Sequence, residues 1–323
     1  MVSVIFATHS LILLGKKMTY GFSLVVRGND ATPENFAQIA EHAETLQIDT
    51  LWCSAHTVLP PQIRSGYAMR PGIMHPDHWK ERYWEPFTVI SYLAAKTTRL
   101  KFGTSIVVLP MHNPFEIAKQ VAEVDQLTQG RFTFGLGVGW FEEEFEVLKQ
   151  DFHNRGARTN EALDLFEALW GPDPVTFKGQ FYQVENAHFG PKPVQRPGPP
   201  IWVAGNSEPA LRRAARYADA WHPVRPSFTL LAEATQKLAS YLEAESRLPR
   251  SVEIAVKVPL VVEDVSSDPE FPTRGRPVDI ASAIQRYREL GAQHFVFDLV
   301  PETLDCTLDT MDRFAQDIRP RLG

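Results

Sequence analysis

The chain has 323 residues, a formal net charge of −6 from 33 basic and 39 acidic side chains, and 44% hydrophobic residues. That balance leaves no basic footprint for nucleic acid or an anionic membrane surface, and no run approaches the roughly 18 apolar residues of a membrane span. The two cysteines, Cys53 and Cys306, stand in apolar or strand-like sequence and read as buried thiols rather than a disulfide, so a cytoplasmic protein with a small-molecule substrate is expected.

Residues 1–17 read as an extension. Val2–Leu14 is moderately apolar, but Lys16 and Lys17 follow it where a secretory signal would have its basic residues in front, and the first clear strand starts just after Met18. From residue 18 to 323 one domain is expected, in which strands and helices alternate. Strand 1 is Tyr20–Val25, followed by a helix opened by Thr32-Pro33-Glu34, and strand 2 is Thr50–Ser54. The segment 55–84, rich in His, Tyr, Trp and Pro, interrupts before a helix over Pro86–Lys96, and strand 3 is Leu100–Val107. Asn113-Pro114 caps a helix whose Ile117, Val121, Val124 and Leu127 fall at helical spacing; Gly130 ends it, and strand 4 is Arg131–Leu136. A helix over Asn160–Trp170 precedes a hairpin, Val175–Phe177 against Gln180–Tyr182, and a proline-rich return. The remaining units are strand Ile201–Val203, helix Glu208–Tyr217, strand Ala220–His222, helix Thr229–Glu245, strand Glu253–Val262, helix Pro277–Leu290, strand His294–Asp298 and helix Leu304–Ile318.

Eight strands alternating with helices, each strand a near-continuous apolar run, predict a single (β/α)8 TIM barrel with insertion loops after strands 2 and 4. An open doubly wound sheet would carry a dinucleotide fingerprint. Gly135-x-Gly137-x-Gly139 puts Trp140 where that fingerprint needs its third glycine, so this reading is rejected.

Ligands of such barrels meet the C-terminal ends of the strands. Here those ends hold glycines and small hydroxyls, few acids and no nucleophile elbow. That composition suits close backbone approach to a flat or phosphorylated ligand and suits a metal poorly, so no metal site is expected. Gly205-Asn206-Ser207 opens a helix and offers amides to a phosphate, whereas the end of strand 8, with Asp298 and Glu302, would repel one. The simpler role of Ser207 is to cap the helix.

Read together, Leu51-Trp52-x-Ser54-x-His56, Gly103–Val107, Asn113-Pro114, Gln129–Phe132, Gly135–Trp140, Arg158-Thr159-x-Glu161, Pro200–Gly205 and Ala218–Pro223 make the stretch from about Met18 to Pro320 resemble the bacterial luciferase-like barrel oxidoreductases, most closely the branch that uses the deazaflavin F420. The resemblance implies a non-prolyl cis peptide at Ser105–Ile106 beneath the cofactor ring, with Val108, Gly137 and Gly139 beside the cofactor and Gly205, Asn206 and Ser207 at its phosphate. It makes His56 a candidate proton donor at the reactive edge of the ring, because imidazole titrates near neutrality. It places Tyr67, Trp79, Trp84, Trp221 and His222 as candidate substrate contacts, with Tyr83 in the same loop. The implied activity is hydride transfer between reduced F420 and a small organic substrate. The alternatives are an FMN-dependent, oxygen-using monooxygenase and a non-catalytic deazaflavin binder. A homodimer is implied as well. The sequence departs from the pattern at Ala55, where relatives commonly have Asp before the histidine, and at Ala220, where they have Gly. Arg158 and Glu161 are expected to form a structural ion pair.

Overall fold

In the computed structural model, which describes residues 18–60, 64, 83–248, 251–267, 270–299 and 303–323, the parallel strand pairing closes on itself. The barrel strands are β1 (Thr19–Ser23), β2 (Thr50–Cys53), β3 (Lys101–Thr104), β4 (Phe132–Gly137), β5 (Ile201–Ala204), β6 (Ala220–His222), β7 (Glu253–Val262) and β8 (His294–Leu299). Each pairs with the next, and β8 returns to β1 with Thr19 opposite His294 and Phe22 opposite Phe297. The helices are α1 (Pro33–Thr45), α2 (Pro86–Ala94), α3 (Pro114–Leu127), α4 (Glu142–Val147), α5 (Arg155–Trp170), α6 (Glu208–Tyr217), α7 (Phe228–Ala244), α8 (Pro277–Glu289) and α9 (Leu304–Arg313). The expected eight-stranded (β/α)8 barrel is what the chain forms.

Local sequence accounts for most helix starts. Thr32 accepts from the Asn35 amide and Pro33 follows at the first turn of α1, which buries Phe36, Ile39, Ala40 and Ala43 against the sheet. Asn113 with Pro114 does the same for α3, and Ser227 for α7. The barrel interior is a stack rather than a pore: Trp52 on β2 lies on Trp202 of β5 with centroids 4.3 Å apart, and His222 of β6 stands 5.4 Å from Trp202. Gly21 and Gly103, on the strands either side of Trp52, leave the space its indole occupies, since a Cβ at either position would run into that ring.

Arg131, in the Gln129-Gly130-Arg131 signature, is a structural hub. Its guanidinium donates to the carbonyls of Thr128 (2.8 Å), Leu100 (2.7 Å), Ala94 (3.1 Å) and Thr97 (3.2 Å) and to the Thr97 hydroxyl, tying the ends of α2 and α3 to the start of β3. Asp125, fully buried, takes the backbone and side-chain amides of Gln195 and so fastens the proline-rich return to α3.

Several expected boundaries move. Strand 3 is not continuous: it breaks at a cis Ser105–Ile106 peptide and resumes as Val107–Val108, paired with β4. A short helix, α4, follows the glycine turn unannounced, and α5 starts at Arg155 rather than Asn160. In the hairpin the second strand is Gln183–Ala187, because the Glu161 carboxylate binds the amides of Gln180, Phe181 and Tyr182 and holds those residues in the turn. Arg158 instead bonds Asn154 and Gln150, so the two residues expected to pair serve separate structural bonds. The last helix ends at Arg313 and gives way to a wider turn over Phe314–Ile318. Most of the insertion after β2 and all of residues 1–17 lie outside the described residues, as do Tyr67 and Trp79.

Candidate active site

A cavity of about 800 Å³ opens at the C-terminal ends of the strands, within the ~300–1,000 Å³ range of small-molecule and cofactor sites. One wall is glycine and small side chains: Ser105, Ile106 and Val108 after β3, Gly137 and Gly139 at the end of β4, and Gly205, Asn206 and Ser207 after β5. Every residue expected to contact a cofactor therefore lines this one cavity. Gly139 has φ +81°, and a Cβ there would meet Val108 Cγ1 at 2.6 Å and Phe145 at 2.8 Å, so the turn closes only with glycine. Gly205, at φ +124°, likewise lets β5 turn directly into α6. Ser207 occupies the position before α6, but its hydroxyl does not cap the helix. The Asn206 amide bridges to the next strand loop through Val224 N and O. Arg155, at the start of α5, is half-buried beside this wall, donating to Gly139 O at 3.2 Å and Phe152 O at 2.8 Å.

His56 stands on the loop after β2, also lining the cavity. Its Nδ1 lies 2.7 Å from Glu144 Oε2, a carboxylate with no solvent exposure, while the Thr57 and Val58 amides donate to Glu144 Oε1. Edge contacts with Tyr83 (5.3 Å) and Phe141 (6.2 Å) set the plane of the imidazole. The carboxylate missing at Ala55 is thus supplied from α4. The bond to Glu144 fixes Nδ1 and the orientation of the imidazole on the cavity wall.

A second polar group joins β1, β7 and β8. Lys257 Nζ reaches Ser105 O and Oγ, both at 3.1 Å, and Asp298 Oδ1 at 3.3 Å; Ser23 Oγ donates to the same Asp298 oxygen at 2.7 Å. Beneath it His222 is fully buried, with Nδ1 2.6 Å from Ala255 O and Nε2 2.9 Å from Ser105 Oγ. A carbonyl accepts only, so Nδ1 carries the proton, Ser105 Oγ–H donates to Nε2, and Lys257 donates to Ser105 Oγ. Desolvation, reinforced by the Lys257 charge, pushes the His222 pKa down to about 4 against the Ala255 hydrogen bond. Burial alone would raise Asp298, but Lys257, the Ser23 hydroxyl and Arg225 together hold its carboxyl below the usual range.

Three of the expected substrate contacts are elsewhere. Trp84 packs edge-on against Phe36 and donates Nε1–H to Ala31 O at 2.8 Å, behind the cavity wall. Trp221 is fully buried and donates to Gly205 O at 2.8 Å, bracing that turn from behind. His222 braces Ser105 in the same way. In each case an aromatic body next to the site is committed to packing, His222 inside the barrel and Trp84 and Trp221 outside its strands. Glu144, Lys257 and Ser23 escape the sequence reading, and Asp298 enters it only as an acid that would repel a phosphate. Lys257 and Asp298 do leave a signal, each being a charge flanked on both sides by apolar strand residues; Glu144 leaves none beyond an acidic run that looks solvated.

The lining fits a flat ring with an anionic tail. Small residues line the cavity, and Ser207 and Arg155, also in the lining, are of the kind that could hold a phosphate. Comparison with known proteins agrees in kind. The family model described as luciferase-like monooxygenase matches residues 18–271. A protein of Mycobacterium tuberculosis of undescribed function is 25% identical over 300 residues, covering 92% of this chain and 98% of its own. An FMNH2-dependent dimethylsulfone monooxygenase of Pseudomonas putida is 34% identical over 141 residues, 43% of this chain and 38% of its own. Among solved structures, an F420-dependent secondary alcohol dehydrogenase bound to an F420-acetone adduct superposes with a TM-score of 0.77 at 19% identity, covering 95% of this chain and 99% of that one.

Proposed function

Since the chain belongs to the luciferase-like monooxygenase family, a group of flavin- or deazaflavin-using oxidoreductases, we propose that it binds F420 in this cavity and transfers hydride between reduced F420 and a small organic carbonyl compound. The observation that carries this reading is the His56–Glu144 pair: an imidazole fixed through Nδ1 by a buried carboxylate, on the wall of a cavity otherwise lined by small residues. When bound, the deazaflavin supplies the hydride. Ser105, Ile106, Val108 and Gly137 offer the surface on which a ring rests; Gly139 lets the wall approach it closely. Gly205, Asn206 and Ser207, with Arg155, hold the phosphate. A carbonyl carbon that gains hydride leaves an oxygen that must gain a proton, and His56 delivers that proton from Nε2, giving the alcohol. Tyr83 closes the approach beside His56.

Reduced F420 mixed anaerobically with the purified protein and a panel of ketones and enones tests this: turnover followed by the return of oxidised-deazaflavin absorbance supports it, and no turnover with any of them overturns it. The FMN monooxygenase reading is favoured by the Pseudomonas putida relative, whose name specifies reduced FMN. Oxygen-dependent product formation with reduced FMN, and none with F420, decides for it. F420 binding without turnover, unaffected by His56→Ala, decides for a non-catalytic binder. We further propose a homodimer, which light scattering of the purified protein measures.

A further inference from the structure

The Asp298 carboxylate uses only one of its oxygens. Ser23 Oγ and Lys257 Nζ both meet Oδ1, and among the described residues no protein group is bound to Oδ2. The side chain lines the cavity and keeps 22% of its surface exposed. Lys257 is already engaged, by hydrogen bonds to Ser105 O and Oγ and by the ion pair with Asp298 Oδ1. Among the described residues the cluster thus leaves Asp298 Oδ2 as an acceptor not used by the protein.

From this we infer that Asp298 Oδ2 is a substrate-recognition site for a neutral hydrogen-bond donor, a hydroxyl or an N–H, on the carbonyl compound assigned above; the inference rests on that reading. Charge decides between a neutral and a cationic donor. Lys257 at 3.3 Å already neutralises the carboxylate, so an ammonium group would meet an ion pair with no net charge to attract it, whereas a neutral donor needs none. Topology places the donor relative to the reacting carbonyl. Asp298 ends β8 and His56 follows β2, with β1 between them, so the two side chains rise from strands about 10 Å apart and lean into one cavity. A compact molecule with its hydroxyl several bonds from its carbonyl spans that gap. The glycine wall of β4 and β5 lies across the barrel, which leaves this side for substrate.

The test uses 4-hydroxycyclohexanone, 4-methoxycyclohexanone and 4-aminocyclohexanone with the full chain and reduced F420. The hydroxy ketone is expected to have a kcat/KM about tenfold above the methoxy ketone, and the amino ketone is expected to be the poorest. Asp298→Asn replaces the acceptor by an N–H2 at the same place, so the preference should collapse to within about twofold, while Ser23→Ala, which leaves Oδ2 in place, should keep it. Equal use of hydroxy and methoxy ketones by the wild type overturns the inference. So does an Asp298→Asn variant that weakens F420 binding but keeps the preference, since the carboxylate then belongs to the cofactor seat. If no ketone turns over, the hydride reading fails separately, and ligand-observed NMR of the same three compounds decides this one: preferential binding of the hydroxy ketone supports it, and no preference or no binding refutes it.

Discussion

Removing the Glu144 carboxylate is the most searching perturbation of this site. In Glu144→Ala three donors lose their acceptor at once: His56 Nδ1 at 2.7 Å, Thr57 N at 2.7 Å and Val58 N at 3.2 Å. The costs are unequal. Val58 is 39% exposed and Thr57 is exposed too, so their amides can recover water, whereas the His56 side chain is only 13% exposed. A stranded donor costs about 1–3 kcal/mol, and the vacated volume around a fully buried side chain adds to it, giving a loss of about 2–4 kcal/mol. Equilibrium urea unfolding followed by circular dichroism measures it. A double-mutant cycle with His56→Ala separates the pair from the backbone bonds, and a coupling of about 1–2 kcal/mol is expected. The turnover number should fall with Glu144→Gln even where stability recovers, because an amide no longer fixes which ring nitrogen carries the proton. A Glu144→Ala protein within 0.5 kcal/mol of the wild type, or strictly additive single losses, would refute the reasoning.

Other consequences can be measured with the same assays. His222 has a folded-state pKa of about 4 against an ordinary 6.5, so the unfolded chain binds the extra proton between those values and stability falls as pH drops through that window. The difference is about 3 kcal/mol, and the stability gap between wild type and His222→Asn should shrink by about that much from pH 7 to pH 4. A constant gap would show that the buried imidazole does not titrate as described. Gly139→Ala forces a Cβ to 2.6 Å from Val108 Cγ1 at a positive φ and should cost about 2–4 kcal/mol and weaken cofactor binding in a fluorescence titration. Arg131→Ala strands carbonyls at the ends of α2 and α3; a loss of about 2–4 kcal/mol with cofactor affinity unchanged in the folded protein is the expected signature of a structural role.

Alternation of apolar runs with capped helices determined the barrel from the sequence. Each strand buried on both sides and each Asn-Pro or Thr-Pro start is a local signal, and eight repeats of it admit few topologies. The glycines after β4 and β5 were legible for the same reason: a backbone at positive φ accepts little else. Three things were decided only in the folded chain. The cis peptide at Ser105–Ile106 was implied by the resemblance, but the bonds that Lys257 of β7 makes to the Ser105 carbonyl and hydroxyl, from 152 residues away, were not. The carboxylate behind His56 comes from position 144, in a six-residue helix too short to leave a periodic pattern. Aromatic residues beside the site are taken up by packing, His222 inside the barrel and Trp221 and Trp84 in the layer between strands and helices; composition cannot distinguish a ring that packs from one that binds. Local conformation is written in neighbouring residues, so the sequence by itself determined the scaffold and the glycine wall. The proton-bearing pair and the Asp298 acceptor arise from contacts between distant strands and loops, and only the tertiary structure decided them.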